Sequence, residues 1–498
     1  MPTLNKLLNH IEKTGNRLPH PTLLFIYLSV AVALLSALMA GLNASATHPS
    51  SGEVIHARNL ISADGLRYVL GATVSNFVNF APVGSVLLAV LGIGIAEHSG
   101  LISAVLRRSV LRAPERLVTF AVVLCSVLSS IALDTGYVVL IPLAAIIFQA
   151  LGRNPLAGIV AAFAGVSGGF SANIIVGPLD AVLSGISTEA AQLMQADYEV
   201  SVTANYYFIF VSTFLIAAVG TFVTEKVVVR WLPDAEEQQQ KKIDKIPGES
   251  TALKAVTIFS LIFFALLLYL TVPEHAILRD AKSGSLLRSP FMNGIVVIIS
   301  LYAGLAGLVF AKFSKQHWQG SFLVEAMEKH MATMTGYLVL MFFAAQFVNY
   351  FGWSQLGVIS AIQGAELITQ LQLPKAVLLV LFIFLAALIN LFVGSASAKW
   401  ALIAPIFVPM FFLLGIAPEA TQMAYRIGDS CTNIITPLMP YFGVVIAVAQ
   451  QYRKDIGIGT LISLMLPYSI LFLIAWSLML ALWISFALPL GPGAPLFL

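Results

Sequence analysis

The sequence predicts an all-α polytopic membrane protein, with about nine transmembrane helices plus two opposed re-entrant hairpins in an inverted repeat. The composition, the apolar stretches and a weak internal repeat support this prediction. Of the 498 residues, 58% are hydrophobic and only 10% are charged, whereas soluble domains carry about 25% charged residues. A soluble enzyme or a secreted disulfide scaffold is therefore excluded. The net charge of +3 comes from scattered loops, so no basic patch favours a nucleic-acid partner.

The apolar stretches are of two kinds. A helix that crosses a bilayer needs about 20 mostly apolar residues, and this length predicts spans at 21–42, 86–106, 155–178, 201–224, 252–272, 290–311, 332–350, 419–450 and 457–487. Two further stretches, 118–151 and 375–416, are interrupted by small and polar residues, including Asp134 in the first and Asn390 in the second. We predict that both fold as re-entrant hairpins, because irregular backbone at membrane depth is tolerated only where protein or a cavity covers it.

Basic residues orient these segments. Cytoplasmic loops are enriched in Lys and Arg, and such residues cluster before residue 21, at 107–116, in a linker at 225–252, at 312–315 and at 453–454. We therefore expect a cytoplasmic amino terminus. The number of crossings agrees with these positions only if both hairpins return to the side from which they enter. The first hairpin then enters from the cytoplasm and the second from outside.

A weak internal repeat relates the two hairpins. The repeat units, 118–180 and 375–450, each contain a hairpin followed by a helix, within a single membrane-embedded chain of residues 1–498. The matched positions, 263 or 260 residues apart, are Pro142 and Pro405, Gly152 and Gly415, Pro155 and Pro418, and Asn173 and Asn433. Because the units enter the membrane from opposite faces, the repeat is inverted, which is typical of secondary transporters. The sequence has no phosphate-binding G-x-x-x-x-G-K-[ST] run, so we expect an ion gradient to drive transport.

The helix that begins at Pro418 holds the most informative charges. Arg426 and Asp429, eight and eleven residues further on, fall near the midplane of a membrane core of about 30 Å. With Asn433 they are spaced i, i+3 and i+7, so the three share one helix face. One interpretation is a self-neutralising Arg426–Asp429 pair that makes this face tolerable. In the functional interpretation, Arg426 binds an anionic substrate, since its planar fork matches a carboxylate.

Oxygen atoms near the same face suit a small, hard cation. Asp429, Asn390 of the second hairpin and Asn433 offer carboxylate and amide oxygens, which predict a sodium site. We expect no other cofactor.

Other polar or aromatic residues have two interpretations each. Trp400 could stack on an aromatic substrate or only pack in the membrane. Ser395 and Ser397 could bind a ligand or satisfy the broken backbone of the hairpin. Asp180 could exchange a proton or a cation, or only cap a helix at the outer surface. The sequence alone assigns no role to Lys399.

Several motifs resemble the p-aminobenzoyl-glutamate transporter (AbgT) family, over nearly the whole chain. They are NRLPHP at 16–21, SGISTEA at 184–190, GSAS at 394–397, APIFVPM at 404–410 and YRIGDS at 425–430. The resemblance implies a dimer in a bacterial inner membrane, with nine transmembrane helices and two opposed hairpins per chain. It also implies transport of p-aminobenzoyl-glutamate or related p-aminobenzoic acid metabolites, and for some members efflux of sulfonamide antimetabolites.

The resemblance further implies roles for individual residues. Those along the substrate route are Asp180, Trp400, Pro418 and Arg426, and those at a cation site are Asn390 and Asp429. The resulting prediction is a gradient-driven transporter of aromatic acids of the folate pathway, in contact with membrane lipid. A sulfonamide efflux pump that uses the same site is the alternative. A channel is disfavoured because the hairpins stop halfway, and an enzyme because no nucleophile lies in a motif beside a base.

Overall fold

The structure, a computed structural model, describes residues 21–47, 52–132, 136–232, 248–286, 289–314, 321–436, 439 and 441–498. The amino terminus, Asp134 and most of the predicted linker (233–247) lie outside these residues. The predicted fold class is confirmed: within the described residues, eight helices are long and apolar enough to cross a membrane, or up to ten if two bent pairs each count as a span. Two short strands, β1 (Ser45–Thr47) and β2 (Val54–His56), form an antiparallel pair.

Helices make up most of the described chain. In the amino-terminal half they are α1 (Pro21–Gly41), α2 (Ala63–Val78), α3 (Ala81–His98), α4 (Leu101–Leu111), α5 (Val118–Leu128), α6 (Ile141–Ala150), α7 (Pro155–Phe163), α8 (Pro178–Ala191) and α9 (Tyr206–Val223). In the carboxyl-terminal half they are α10 (Glu249–Thr271), α11 (Ile295–Phe313), α12 (Phe322–Thr333), α13 (Thr335–Trp353), α14 (Leu356–Gln370), α15 (Lys375–Asn390), α16 (Ala396–Leu413), α17 (Pro418–Asn433), α18 (Phe442–Gln450) and α19 (Ile458–Ser485). Shorter helical turns lie at Glu115–Leu117, Ser129–Ala132, Gly136–Leu140, Ala164–Gly168, Thr224–Val228, Val229–Trp231 and Pro290–Asn293.

The span predicted at 86–106 has the wrong boundaries. The helical segment instead runs from Ala63 to His98, through α2 and α3, and the chain turns at Gly100 before α4. The φ angle of Gly100 is +80°, a conformation that glycine adopts without strain. Hydropathy alone missed α2 because it carries polar side chains. One of them, Asn76, is buried and donates a hydrogen bond of 3.0 Å to Gln346 of α13.

Both predicted hairpins are formed by pairs of helical arms. The arms of the first hairpin are α5 and α6, and those of the second are α15 and α16. Each first arm also folds back sharply on the helix before it: α4 against Glu115–Ile131 and α14 against α15, at 118° in both cases. The tip of the second hairpin, residues 391–395, is not helical.

The helix after each hairpin is broken, whereas the sequence predicted uninterrupted spans at 155–178 and 419–450. After α7 and a π-helical turn the chain is not helical until α8 begins at Pro178, and the described residues between α17 and Phe442, the first residue of α18, are not helical either (434–436, 439 and 441). Both breaks follow or contain the repeated Asn-Ile-Ile, at 173–175 and 433–435. Every residue of α17 is buried, which places this helix at the centre of the molecule.

The two repeat units form the same contact at matched positions. Asn173 Nδ2 donates to Ser130 Oγ at 3.0 Å, and Asn390 Nδ2 donates to Asn433 Oδ1 at 2.9 Å. The offset is 260 in both cases, 433 − 173 and 390 − 130. In each unit, the end of the first hairpin arm is therefore bonded to the asparagine at the helix break.

Candidate functional site

Arg426 lies in the middle of α17 and pairs with the first repeat. Its Nη1 atom is 2.6 Å from Asp180 Oδ1, and its Nη2 atom donates to the carbonyl oxygen of Ser171 at 3.1 Å. Arg426 is 2% exposed and Asp180 is 4% exposed. Ser171 and Asp180 flank the start of α8 after the break, so this ion pair joins the two repeat units where the first one loses its helical structure.

Two buried polar atoms in this cluster lack a hydrogen-bond partner among the described residues. They are Nε of Arg426 and Oγ of Ser171. A buried donor without an acceptor costs about 1–3 kcal/mol, and such atoms are rare in native structures. The Nε–H of the guanidinium is therefore left to donate a hydrogen bond to an additional carboxylate oxygen.

Asp180 has two structural functions. Its Oδ2 accepts a hydrogen bond of 2.7 Å from the backbone nitrogen of Gly177 and so caps α8, while its Oδ1 binds Arg426. The helix-capping interpretation of this residue is thus compatible with a buried ion pair. The residue is buried rather than placed at the surface.

The three residues predicted to bind sodium lie together. Asn390 Nδ2 donates to Asn433 Oδ1 at 2.9 Å and to the carbonyl oxygen of Asp429 at 2.5 Å. Lys399, to which the sequence assigned no role, completes this cluster: its Nζ is 2.5 Å from Asp429 Oδ1 and also donates to Asn390 Oδ1. Arg426 and Asp429 do not pair with each other, since each pairs with a residue of another helix. The only sequence signal for Lys399 was a lysine inside an apolar hairpin arm.

Trp400 connects the second hairpin to the first repeat unit. It is fully buried and stacks on Tyr425, with ring centroids 4.6 Å apart at 23°. Its indole N–H lies 3.0 Å from Ser187 Oγ and 3.2 Å from the carbonyl oxygen of Leu183, both on α8. A substrate ring can therefore reach Trp400 only if Tyr425 or α8 moves.

The remaining predicted site residues lie at helix starts. Ser395 is the N-cap of α16: its Oγ accepts from the backbone nitrogen of Ala398 at 3.4 Å and lies 3.3 Å from Ser397 Oγ. Both serines are half-buried. Pro418 is the first residue of α17 and is buried, eight residues before Arg426. Proline suits this position because a first helical residue needs no donor.

A cavity of about 400 Å³ reaches this region. Pro178, two residues before Asp180, and Ile131 at the end of the first hairpin arm are among its lining residues. Its charged and titratable lining residues are Glu97, His98, Lys329 and His330, and His330 Nδ1 is 3.8 Å from Glu97 Oε2. The sequence pattern gave no signal for Lys329 or His330. The cavity thus lies between α3, α12 and the first residue of α8.

Two hairpins, broken helices and buried charges at the breaks define an integral membrane transporter. The chain matches the "AbgT putative transporter family" over residues 6–498. It is 35% identical over 492 residues to the p-aminobenzoyl-glutamate transport protein of Escherichia coli (strain K12), covering 98% of this chain and 96% of the relative. The chain therefore belongs to the AbgT transporter family, and the resemblance seen in its motifs is confirmed. It is a transporter and not an enzyme.

Two solved structures are similar over their full length. The YdaH transporter of Alcanivorax borkumensis, described as having an unusual topology, is 50% identical with a TM-score of 0.92, covering 95% of this chain and 100% of that one. MtrF of Neisseria gonorrhoeae, described as illuminating a class of antimetabolite efflux pumps, is 46% identical with a TM-score of 0.92, covering 98% and 100%.

Proposed function

We propose that this chain is a secondary active transporter of p-aminobenzoyl-glutamate and related p-aminobenzoic acid metabolites of the folate pathway, driven by a sodium or proton gradient. The observation that carries this proposal is the buried Arg426 guanidinium, whose Nε has no partner among the described residues. A cation held at the broken helices of a transporter is suited to bind an anionic substrate. The substrate class is that named for the Escherichia coli relative.

Substrate binding is proposed to proceed by exchange of carboxylates at Arg426. An incoming carboxylate first accepts from Nε, and its charge then competes with that of Asp180 for the guanidinium, whose Nη1 is now 2.6 Å from Asp180 Oδ1. Bidentate pairing with Nε and Nη2, which face the same side of the guanidinium, favours this exchange. Asp180 remains bound to Gly177 through its other oxygen. Release of Asp180 from Arg426 loosens the contact between the two repeat units, which couples substrate binding to their relative movement.

Trp400 is proposed to bind the aminobenzoyl ring. It stacks on Tyr425, the residue next to Arg426, so an aromatic substrate held by Arg426 has its ring near this pair. Offset or tilted stacking of aromatic rings contributes about 0.5–1.5 kcal/mol beyond area burial. Ser395 and Ser397 at the start of α16 and Pro418 at the start of α17 would line the rest of the route.

The coupling ion has two candidate sites. Sodium would use oxygens of Asp429, Asn390 and Asn433, whereas a proton would be taken up by Asp180 once Arg426 binds the substrate. For sodium coupling, Asp429→Asn is expected to abolish sodium-stimulated uptake, because it removes the only carboxylate of that cluster. Transport by this variant is measured with and without an imposed sodium gradient. If its sodium response equals that of the wild type, Asp429 does not bind the coupling ion.

The proposed setting is a bacterial inner membrane, with a cytoplasmic amino terminus and a homodimeric assembly. The basic clusters at 107–116 and 453–454 support this orientation. With it, the first hairpin enters from the cytoplasm and the second from outside. The cavity lined by Lys329 and His330 would then lie in the cytoplasmic half of the protein.

Efflux of sulfonamide antimetabolites is a second candidate function, favoured by the similarity to MtrF. Sulfonamides share the aminophenyl ring with p-aminobenzoyl-glutamate but have no carboxylate. The two functions therefore differ in their need for Arg426, whereas both need the aromatic pair.

The experiment that tests the function is flux in proteoliposomes. Radiolabelled p-aminobenzoyl-glutamate and a sulfonamide are supplied in turn, under sodium and proton gradients imposed separately. Concentrative, gradient-dependent uptake of the first supports the proposal, and concentrative transport of the sulfonamide alone supports the alternative. Flux that only equilibrates the label would indicate a channel and would contradict both.

A further inference from the structure

The ammonium of Lys399 lies where the sequence predicts a sodium ion. Its Nζ is 2.5 Å from Asp429 Oδ1 and donates to Asn390 Oδ1. The Lys399 side chain is 0% exposed and that of Asp429 is 2% exposed. Two of the three predicted sodium ligands thus already bind a cation that belongs to the chain.

Further oxygens of the cluster are engaged as well. Asn390 Nδ2 donates to Asn433 Oδ1 at 2.9 Å, to Thr432 Oγ1 at 2.8 Å and to the carbonyl oxygen of Asp429 at 2.5 Å. A hard metal cation needs several oxygens directed at it at the same time. In this arrangement the amide nitrogen of Asn390 faces Asn433 and Thr432, and its amide oxygen faces Lys399. The residues present therefore do not fit a sodium ion while the ammonium is in place.

Electrostatics leads to the same conclusion. Lys399 and Asp429 form a neutral pair, and the hydroxyl of Tyr425, 3.3 Å from Asp429 Oδ1, adds no charge. The nearest further charge on α17 is Arg426, which pairs with Asp180. A sodium ion added beside Lys399 would leave a net positive charge in a buried site, which is costly. Sodium and the ammonium are therefore mutually exclusive at Asp429.

We propose that Lys399 is the built-in cation of this site and that its ammonium competes with sodium for Asp429 and Asn390. Sodium binds only when Lys399 leaves these oxygens. Because Lys399 lies in the first turn of α16, directly after the tip of the second hairpin, its departure requires movement of that hairpin. The inference rests on the proposed function only in that a cation is taken to drive transport.

The first repeat unit offers no equivalent cation. At the offset of 263 that relates the second arms of the two hairpins, through Pro142 and Pro405, Lys399 corresponds to Gly136 (399 − 136). A Cβ added at Gly136 would lie 2.3 Å from Ser129 Oγ, so no side chain fits there without rearrangement. The built-in cation is therefore specific to the second hairpin, and a competing ion would act on that half of the molecule alone.

Sodium-dependent thermal stability of the purified full chain, without substrate, tests this proposal. Melting is followed as sodium replaces choline at constant ionic strength, in the wild type and in Lys399→Met, which keeps a stem of similar length without the charge. We expect Lys399→Met to gain a saturable increase in melting temperature, with an apparent sodium affinity at least about tenfold tighter than that of the wild type. The double variant Lys399→Met/Asp429→Asn, in which both charges are absent, should lose this response.

Two results would overturn the proposal. Equal apparent sodium affinities in the wild type and Lys399→Met would show that the ammonium does not compete. The absence of any sodium response in a folded Lys399→Met protein would show that these oxygens form no cation site. Lys399→Gln, whose amide can still contact Asn390, provides the same test if Lys399→Met does not fold. Failure of the proposed substrate would leave these results unchanged, because the measurement contains no substrate.

Discussion

The two buried ion pairs found among the described residues join different parts of the molecule. Asp180 and Arg426 belong to different repeat units, and their N–O distance of 2.6 Å spans the interface between the units. Lys399 and Asp429, 2.5 Å apart, both belong to the second unit, one on its hairpin and one on its helix. An inverted-repeat transporter works by moving one part of its structure against another. Movement of one unit against the other would therefore break the first pair, and movement of the second hairpin alone would break the second.

The hydrogen bonds around the two pairs differ as well. At Arg426 one guanidinium N–H and a nearby hydroxyl have no partner among the described residues. Around Asp429, hydrogen bonds from Lys399 and Asn390 engage both its side chain and its carbonyl oxygen. Unsatisfied buried groups are costly, and a ligand that supplies an acceptor would remove this cost. The first pair is therefore suited to accept a ligand. At the second pair, an existing hydrogen bond or ion pair must break before a ligand can bind.

Removing Arg426 is expected to have the largest effect. In Arg426→Ala the substrate carboxylate loses its buried counter-charge, a change that costs about 2–5 kcal/mol, so affinity for p-aminobenzoyl-glutamate should fall by about 30-fold or more. Asp180 is also left unpaired, at a further cost of about 3–5 kcal/mol of stability. Equilibrium binding of radiolabelled substrate and thermal melting measure the two effects separately.

The double variant Arg426→Gln/Asp180→Asn is the control for folding. It replaces the charge pair by two amides of similar size, so it should recover most of the stability without recovering substrate affinity. Near-normal affinity in a folded variant that lacks Arg426 would contradict the assigned role. If sulfonamide binding persists in the same variant while p-aminobenzoyl-glutamate binding is lost, the carboxylate is the group that Arg426 recognises.

The sequence predicted the scaffold of this site better than its contacts. The hairpin arms were predictable because an apolar stretch and its polar interruption are local features of the chain. The shared face of Arg426 and Asp429 followed from helical spacing alone. Their partners did not, because Asp180 is 246 residues away from Arg426 and Lys399 reaches Asp429 only through the packing of α16 on α17.

The breaks after α7 and α17 were missed for a related reason. Asn173 and Asn433 are each followed by two isoleucines, so the hydropathy of these segments stays high where the helix ends. The polar bonds that make the breaks tolerable run to the hairpins, from Asn173 to Ser130 and from Asn390 to Asn433. A hydropathy profile depends on the isoleucines and contains no information on distant hydrogen-bond partners, so it does not predict these breaks.

Neutralising Asp180 is expected to have an intermediate effect that separates binding from transport. In Asp180→Asn the side-chain oxygen can still cap α8 at Gly177, but it no longer competes as an anion for Arg426. Equilibrium affinity for p-aminobenzoyl-glutamate should therefore rise by about tenfold, the effect of removing roughly 1.4 kcal/mol of competition. Net transport should fall because no anion displaces the bound substrate. Weaker binding in this variant would contradict the exchange of carboxylates, and Asp180→Ala, which also loses the cap, shows how much of any change comes from helix stability.

The matched hydrogen bonds at the helix breaks give the smallest expected effect. Ser130→Ala removes the acceptor of Asn173 Nδ2 at 3.0 Å, and we expect a loss of about 1 kcal/mol in the free energy of unfolding. Ser126→Ala, one turn earlier, is the control, since Ser126 Oγ has no partner among the described residues and its removal should be neutral or stabilising. Sodium dependence should not change in either variant, because both serines belong to the first repeat unit. A change in sodium response with Ser130→Ala would instead show that the two helix breaks are coupled, and that the second hairpin does not respond to the cation alone.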